Sequence, residues 1–342
     1  MEIKENVSLA GYSTMRLGGV ARYLCEVSSE VDLAKAVAWA HDKKIPFIAI
    51  GGGSNIVWRD EGFAGLVIVN CILGRQVLTE DAHSAVVKVG GGEVWDEVVA
   101  WTVDKNLSGI EFLSAIPGKA GGGPVQNIGA YGAELSEVLT EVSVFDTAEN
   151  TFGSIAKDAC EFGYRTSRFK TTDKKRFLIT SLTMKLAKSN PSPPFYESLH
   201  AYFDEHGIKE FTPKTVREAV IAVRRTKLPD PKVVANNGSF FTNPFVPVAQ
   251  FDQLKAKFPG IKGWPADDGR VKLAAGWLVE QAGYRGVHDK ETGMATNPDQ
   301  ALVLINEHAK STADLLKFKQ KIVDAVEQMF GVTLEQEPEL LP

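Results

Sequence analysis

The chain has 342 residues, 44% of them hydrophobic and 24% charged, with a formal net charge of −5. At roughly 100–200 residues per domain this predicts two or three folded domains, and the composition excludes a largely disordered chain. The acidic balance argues against a nucleic-acid binder, and Cys25, Cys71 and Cys160 are too sparse and too far apart for a zinc ribbon or a disulfide framework. With no secretion signal and no apolar run of roughly 18 residues, a cytoplasmic protein without a membrane span is expected.

The predicted elements begin with a short strand at Tyr23–Val27 and a helix from about Glu30 to Lys44. Ser29 caps that helix, Asp32 supplies the acid of a capping box, and Val31, Ala34, Val37, Ala38 and His41 form its apolar face. Buried strands follow at Ile45–Ile50, Leu66–Val69 and Ala85–Val89. Trp95, Val98, Val99, Thr102 and Val103 mark a helix that ends near Asn106. Residues 109–132 are glycine-rich and aperiodic, and ordinary connections run to about 4–6 residues, so this long stretch reads as a functional loop. Strands at Val142–Phe145 and Phe177–Leu186 precede a proline-rich break at 190–194. Helices are predicted at Lys214–Thr226, Val248–Lys257 and Leu273–Gln281, then a strand at Ala301–Ile305. The last helix is the clearest. Ser311 and Asp314 open it, Leu315, Phe318, Ile322, Val326 and Met329 line it, and Gly331 stops it.

Glycine triplets stand at 51–53, 90–92 and 121–123. Glycines after strands permit positive φ and a close approach of backbone to phosphate, although each triplet also reads simply as a tight turn. Neither common nucleotide fingerprint fits. Ile56 stands where a dinucleotide-binding G-x-G-x-x-G loop needs its third glycine, and Pro117-Gly-Lys-Ala120 lacks the hydroxyl and first glycine of a P-loop. No histidine pair has metal-ligand spacing on a helix, so no metal is expected.

Ile50-Gly-Gly-Gly-Ser-Asn55 resembles the pyrophosphate loop of flavoproteins of the vanillyl-alcohol-oxidase type. The segment Ile116–Gly132, which reads IPGKAGGGPVQNIGAYG, resembles the second flavin loop of one branch, the UDP-N-acetylenolpyruvoylglucosamine reductase (MurB) family. Phe162-Gly-Tyr-Arg-Thr-Ser167, Thr226-Lys-Leu-Pro-Asp-Pro231, Gly238-Ser-Phe-Phe-Thr-Asn-Pro244, Lys272–Trp277 and Gln300–Asn306 continue the match in order, as does Thr14–Gly19 near the start. The resemblance implies an α+β fold. A two-part FAD-binding domain of the PCMH type (1–70 and 71–225) would precede a smaller α+β substrate-binding domain (226–330), and a tail (331–342) would contribute a catalytic glutamate.

The activity implied is that of an FAD-dependent oxidoreductase of peptidoglycan biosynthesis. NADPH would reduce non-covalently bound FAD. The flavin would pass a hydride to the vinyl carbon of UDP-N-acetylglucosamine enolpyruvate, and protonation would complete UDP-N-acetylmuramate. By the same resemblance Ser239 is the proton donor, and Arg165 and Glu337 stabilise the enolate-like intermediate. FAD contacts are expected from Gly51, Gly52, Gly53, Ser54, Asn55, Pro117, Gly118, Gly122, Gly123, Gln126, Asn127, Ile128, Gly129 and Tyr131. Substrate contacts are expected from Tyr196, Arg224, Lys227, Asn243, Lys272 and Gln300. The residue types suit those roles: a guanidinium grips a carboxylate or phosphate through two hydrogen bonds, and Arg224, Arg225, Lys227 and Lys232 crowd one short stretch of an acidic chain. Tyr196 reads equally as a lid tyrosine or as a packed aromatic. The tail departs from the family pattern, since Glu339 stands where some members carry an arginine. A monomer without nucleic-acid or membrane partners is expected. Two rivals stay open at this stage: another FAD oxidoreductase on the same fold, acting on a small alcohol or sugar, and a non-enzymatic nucleotide-binding module.

Overall fold

The computed structural model describes every residue from Met1 to Pro342. The chain forms two compact units that interleave along the sequence. The first comprises Met1–Val7, Ala21–Gly52 and Phe63–Thr226; the second comprises Ser8–Val20, Gly53–Gly62 and Lys227–Pro342. The architecture is mixed α+β, and no helix is long and apolar enough to cross a membrane.

The first unit holds two sheets. One orders its strands Ile3–Ser8, Val20–Val27, Phe63–Asn70 and Phe47–Ile50, with Phe63–Asn70 parallel to both Val20–Val27 and Phe47–Ile50. The helix Glu30–Asp42 covers it. Ser29 accepts from the Asp32 amide, as a helix start requires. The buried stripe is Leu33, Ala36, Val37 and Ala40, not the expected Val31–Ala34–Val37–Ala38–His41 face; Val31 is 62% exposed. Both stripes have helical spacing. The chosen one brings Leu33 and two alanines onto Leu66 and Ile68, and small side chains let helix and sheet approach closely.

The second sheet is antiparallel, in the order Thr151–Ala156, Leu139–Asp146, Phe177–Ala187, Ser84–Gly90 and Arg75–Glu80. The helix Trp95–Asp104 buries Trp95, Val98, Val99, Thr102 and Val103, the face that its periodicity predicts. Residues 109–132 contain only short 3-10 turns and a two-residue strand. The helix Glu197–Glu205, absent from the sequence reading, and Pro213–Arg225, one residue from its expected bounds, share a small apolar cluster of Leu199, Phe203, Val216, Ala219, Val220 and Val223.

In the second unit a four-stranded sheet runs Asn236–Ser239, Val303–Asn306, Met294–Thr296 and His288–Asp289, and a three-stranded one runs Phe245–Pro247, Arg270–Leu273 and Gly263–Pro265. Thr312–Phe330 is the longest helix. Ser311 and Asp314 form a reciprocal capping box, and Gly331 ends the helix at φ 62°. The Asp60 carboxylate accepts from the Thr312 and Ala313 amides at 2.6 and 2.9 Å, which places negative charge at the positive end of the helix. Leu315, Phe318, Ile322 and Val326 are fully buried; Met329 is not on that face and is 39% exposed. The helix expected from Leu273 begins at Ala275, because Arg270–Leu273 pairs in the three-stranded sheet. The strand expected from Ala301 begins at Val303, since a turn bonds the Val303 amide to the Gln300 carbonyl. The tail strand Glu339–Leu341 pairs in parallel with Ile56–Trp58.

Candidate functional site

Gly51 and Gly52 belong to the first unit, where they meet the second glycine-rich loop. A β-carbon on Gly52 would sit 3.0 Å from Gly118 Cα, and one on Gly51 would sit 3.4 Å from Lys119 Cβ. The loop from Pro117 to Gly123 rests on the start of helix Trp95–Asp104. The Trp95 amide donates to the Gly118 carbonyl at 3.0 Å, and the Ala120 amide to Glu93 at 2.8 Å. Gly121 donates to the Gly91 carbonyl at 2.8 Å, and Lys119 Nζ reaches the Asn70 carbonyl at 2.6 Å. Gly122 is exposed, and a β-carbon on it would meet nothing within 4 Å. The 90–92 triplet differs, since β-carbons on Gly90 and Gly92 would overlap the Cys71–Ile72 backbone. Those glycines let one backbone pass another and support the loop.

Beyond Gly123 the chain folds back on itself. The Ile128 amide donates to the Gly123 carbonyl at 3.1 Å. Asn127 is fully buried; its Nδ2 donates to Glu134 Oε2 at 2.7 Å and its Oδ1 accepts from the Ser136 amide at 3.0 Å. Arg165 is half-buried at φ 53° and donates Nη2 to the Gly129 carbonyl at 2.7 Å. A left-handed backbone at a long side chain is a strained choice that clusters at functional positions. The structure therefore brings Arg165 to the Asn127–Gly129 segment, and both segments were singled out from the sequence. Gln126 lies between the buried Pro124 and Asn127 and is half-buried.

Tyr131, Tyr196 and Arg224 form a second grouping in this unit. The Tyr131 and Tyr196 rings meet edge to face at 5.8 Å. Burial pushes the Tyr131 phenol above its ordinary value, and the neighbouring Arg224 charge only partly offsets this. Arg224 is itself held below its ordinary value by burial, yet a guanidinium stays charged. Seven residues earlier on the same helix, Arg217 donates to both oxygens of Asp96, at 2.6 and 2.9 Å. Burial alone would push the Asp96 carboxyl up, but Arg217 and the Ala115 amide outweigh it and hold the group below the usual carboxylate range. A depressed folded-state value stabilises the fold above the unfolded value of about 3.9 and ceases to do so as pH falls through the folded value. Thermal unfolding below about pH 4 should therefore fall more steeply with acid in the unsubstituted protein than in Asp96→Asn, as differential scanning calorimetry against pH would record.

The second unit contains Gly53, Ser54, Asn55, Lys227, Ser239, Asn243, Lys272, Gln300 and Glu337. Ser239 ends the strand Asn236–Ser239, opposite Val303 and directly after Gly238 at φ 71°. The next residue is fixed on both sides. The Phe240 amide donates to the Leu302 carbonyl at 2.8 Å, and the Phe240 carbonyl accepts from the Glu337 amide at 2.9 Å. Gln300 joins the same turn, its Oε1 accepting from the Leu302 amide at 3.4 Å. Ser239, Gln300 and the half-buried Glu337 are thus gathered around one stretch of backbone. Asn243 Oδ1 accepts from the Ala275 amide at 2.9 Å at the start of the helix Ala275–Gln281, and Lys272 pairs opposite Phe245. The Lys227 carbonyl accepts from the buried Asn297 at 3.1 Å.

Two family models match the chain. An FAD binding domain covers residues 21–152, and a UDP-N-acetylenolpyruvoylglucosamine reductase C-terminal domain covers residues 230–341. A curated UDP-N-acetylenolpyruvoylglucosamine reductase from Pseudomonas aeruginosa is 38% identical over 340 residues, covering 99% of each chain. One from Alcanivorax borkumensis is 40% identical and covers 99% of this chain and 96% of its own. The chain belongs to the UDP-N-acetylenolpyruvoylglucosamine reductase (MurB) family. The crystal structure of the Thermus caldophilus MurB has the same fold, with a TM-score of 0.69 at 22% identity over the whole of both chains.

A MurB-type flavin needs backbone that can approach phosphate closely and groups that donate and accept along the cofactor. The residues present fit. Gly52 against Gly118, with Gly51 beside the Lys119 β-carbon, makes a surface of bare backbone that further β-carbons would crowd. In the second unit Asn237, missed from the sequence, is buried and donates Nδ2 to the Ser54 carbonyl at 3.1 Å and to Thr14 Oγ1 at 3.0 Å. Its buried Oδ1 has no protein partner, as suits an acceptor beside a donor-bearing ligand. Asp96, Arg217 and Asn297 were also missed. Asp96 reads as a routine acid in a helix's first turn and Asn297 as a turn residue, whereas the seven-residue spacing of Arg217 and Arg224 was a usable sign of a shared helix face.

Proposed function

We propose that this chain catalyses the NADPH-dependent, FAD-mediated reduction of UDP-N-acetylglucosamine enolpyruvate to UDP-N-acetylmuramate in the bacterial cytoplasm. The observation that supports this most directly is the gathering of Ser239, Gln300 and Glu337 around the Phe240 backbone, inside the stretch that matches the reductase C-terminal domain. FAD, when bound, supplies the hydride chemistry. Residues of 1–70 and 71–225 would hold it, with the Gly51–Asn55 loop and the 117–131 segment as the phosphate and flavin contacts. The 226–330 domain would hold substrate, and the 331–342 tail would bring Glu337.

Each residue then has a defined task. The Ser239 hydroxyl delivers the proton to the carbon that carries the carboxylate. Such a weak acid can serve only because an enolate-like carbon is a very strong base. Arg165, anchored by the Gly129 carbonyl, holds its charge towards the carboxylate on which negative charge accumulates, and Glu337 supports the same intermediate. Arg224 and Lys227 take the substrate's anionic groups. Asn243, Lys272 and Gln300 orient it, and Tyr196 closes over it.

The test is anaerobic absorbance of the purified protein across the flavin bands. One equivalent of NADPH should bleach them, and one equivalent of UDP-N-acetylglucosamine enolpyruvate added next should restore them in a single turnover. Bleaching without recovery would leave a flavoprotein with a different electron acceptor and overturn the proposal.

A further inference from the structure

The helices Glu197–Glu205 and Pro213–Arg225 pack through their own apolar cluster, with Phe112, Tyr131, Phe195 and Phe211 partly buried against it. Tyr196 is the N-cap residue of the first helix, and Arg224 lies one residue from the end of the second. Tyr131 touches Tyr196 edge-on at 5.8 Å, and the Arg224 charge acts on its phenol. The hairpin thus carries two proposed substrate residues at its open end, away from the turn that joins its helices. Its orientation depends on what holds its body.

One carboxylate ties its second helix to the helix Trp95–Asp104. Asp96 lies in the first turn of the helix Trp95–Asp104, whose own amide at Trp95 binds the Gly118 carbonyl. Asp96 Oδ1 accepts from the Ala115 amide at 2.6 Å, just before the Pro117–Gly118 turn, and both oxygens accept from Arg217. Ala115 is left-handed at φ 57°, a conformation that needs such support. Arg217 and Arg224 are seven residues apart, two turns along one face of the helix. A bidentate guanidinium–carboxylate pair fixes direction as well as distance.

We propose that the Asp96–Arg217 pair is the positioning device that sets the open end of the hairpin, and with it Tyr196 and Arg224, relative to the glycine-rich loop at 117–123. The proposal rests on the reading of Arg224 as a substrate residue. Neither Asp96 nor Arg217 touches substrate in this scheme; both act through the helix that carries Arg224.

The test uses the flavin-loaded enzyme and compares Asp96→Asn, Arg217→Lys and Arg224→Ala in steady-state and single-turnover assays. The first two should each raise the KM for UDP-N-acetylglucosamine enolpyruvate about tenfold, with kcat and the rate of flavin reduction by NADPH within about twofold, because coupled neighbours lose shared binding rather than chemistry. The double variant should be little worse than either single one. Arg217→Lys keeps the charge and loses the fork, so it decides the matter if Asp96→Asn does not fold. An unchanged KM in the two pair variants, beside a raised KM in Arg224→Ala, would overturn the positioning role alone. An unchanged KM in Arg224→Ala would overturn the reading of Arg224 and this inference with it. Equal loss of kcat, KM and flavin retention would mark the pair as structural only and also overturn it.

Discussion

Ser239→Ala should leave flavin reduction by NADPH within about twofold and slow reoxidation by the enolpyruvyl substrate by about 10²–10⁴-fold, the span a positioned proton donor commands. The two half-reactions separate because only the second needs a proton delivered to carbon. The substitution removes one oxygen and little else. The turn that presents Ser239 is fixed by backbone, through Gly238 at φ 71°, the Phe240 amide on Leu302 and the Glu337 amide on the Phe240 carbonyl. None of these uses the hydroxyl, so stability should change by less than about 0.5 kcal/mol. Stopped-flow absorbance gives both rates on one sample. Equal slowing of the halves, or no slowing of either, would remove Ser239 from the donor role. Its neighbours hold the main chain at this turn, so the proposed donor role would need nothing from the hydroxyl but the proton.

Local signals were read well where the decisive atoms are local. The helix Thr312–Phe330 starts and stops where Ser311, Asp314 and Gly331 say it should, because caps and helical spacing are short-range properties. The helix Glu30–Asp42 was found, but its buried face was not. Two stripes satisfied the same period, and the choice between them was made by Leu66 and Ile68 more than twenty residues away. The strand Val303–Asn306 was found two residues out, since a turn through Gln300 replaced its first expected residues. The interleaving of units had no local signature at all. Gly53–Gly62 joins the C-terminal half through contacts such as Asp60 to Thr312, and nothing within ten residues of Asp60 announces that partner.

The site divides in the same way. The motifs around Gly51, Gly118, Arg165 and Ser239 were legible because their residue order is itself the pattern. Asp96 and Arg217 were not, because their meaning lies in a contact across 121 positions. The three glycine triplets show the limit most clearly. In sequence they are equal; in the fold 90–92 packs on backbone, 51–53 is split between close approaches to Gly118 and to Tyr12, and 121–123 includes the open Gly122. The same residue type therefore serves packing in one place and access in another.

That contrast makes the second large prediction, a pair of alanine substitutions that both weaken FAD but differ in their effect on the fold. Gly53 is at φ 73°, and a β-carbon there would overlap the Tyr12 carbonyl oxygen and sit 2.8 Å from its carbon. Both obstacles are backbone, and the Gly53 carbonyl also accepts from the Thr14 amide at 3.0 Å, so neither segment can move without disturbing that bond. The left-handed conformation alone costs alanine about 1–2 kcal/mol, and relieving the overlap adds about 1–3 kcal/mol more. Gly53→Ala should therefore lower the melting temperature of the flavin-free protein and also displace Ser54 and Asn55, weakening FAD at least about tenfold, the equivalent of roughly 1.4 kcal/mol. Gly122→Ala meets no atom within 4 Å and needs no special φ. Its flavin-free melting temperature should stay within about 2 °C, as a surface substitution within 0.5 kcal/mol predicts. Its FAD affinity should nevertheless fall, because the added methyl would stand where the cofactor approaches the backbone. Apo-protein melting and titration of FAD fluorescence separate the two cases. If Gly122→Ala binds FAD as the unsubstituted chain does, Gly122 is not part of the cofactor surface. If Gly53→Ala melts normally, the close backbone approach at Tyr12 does not constrain the loop. The predicted outcome, one glycine kept for the fold and the other for the ligand, would follow from nothing more than what a single carbon atom would meet at each position.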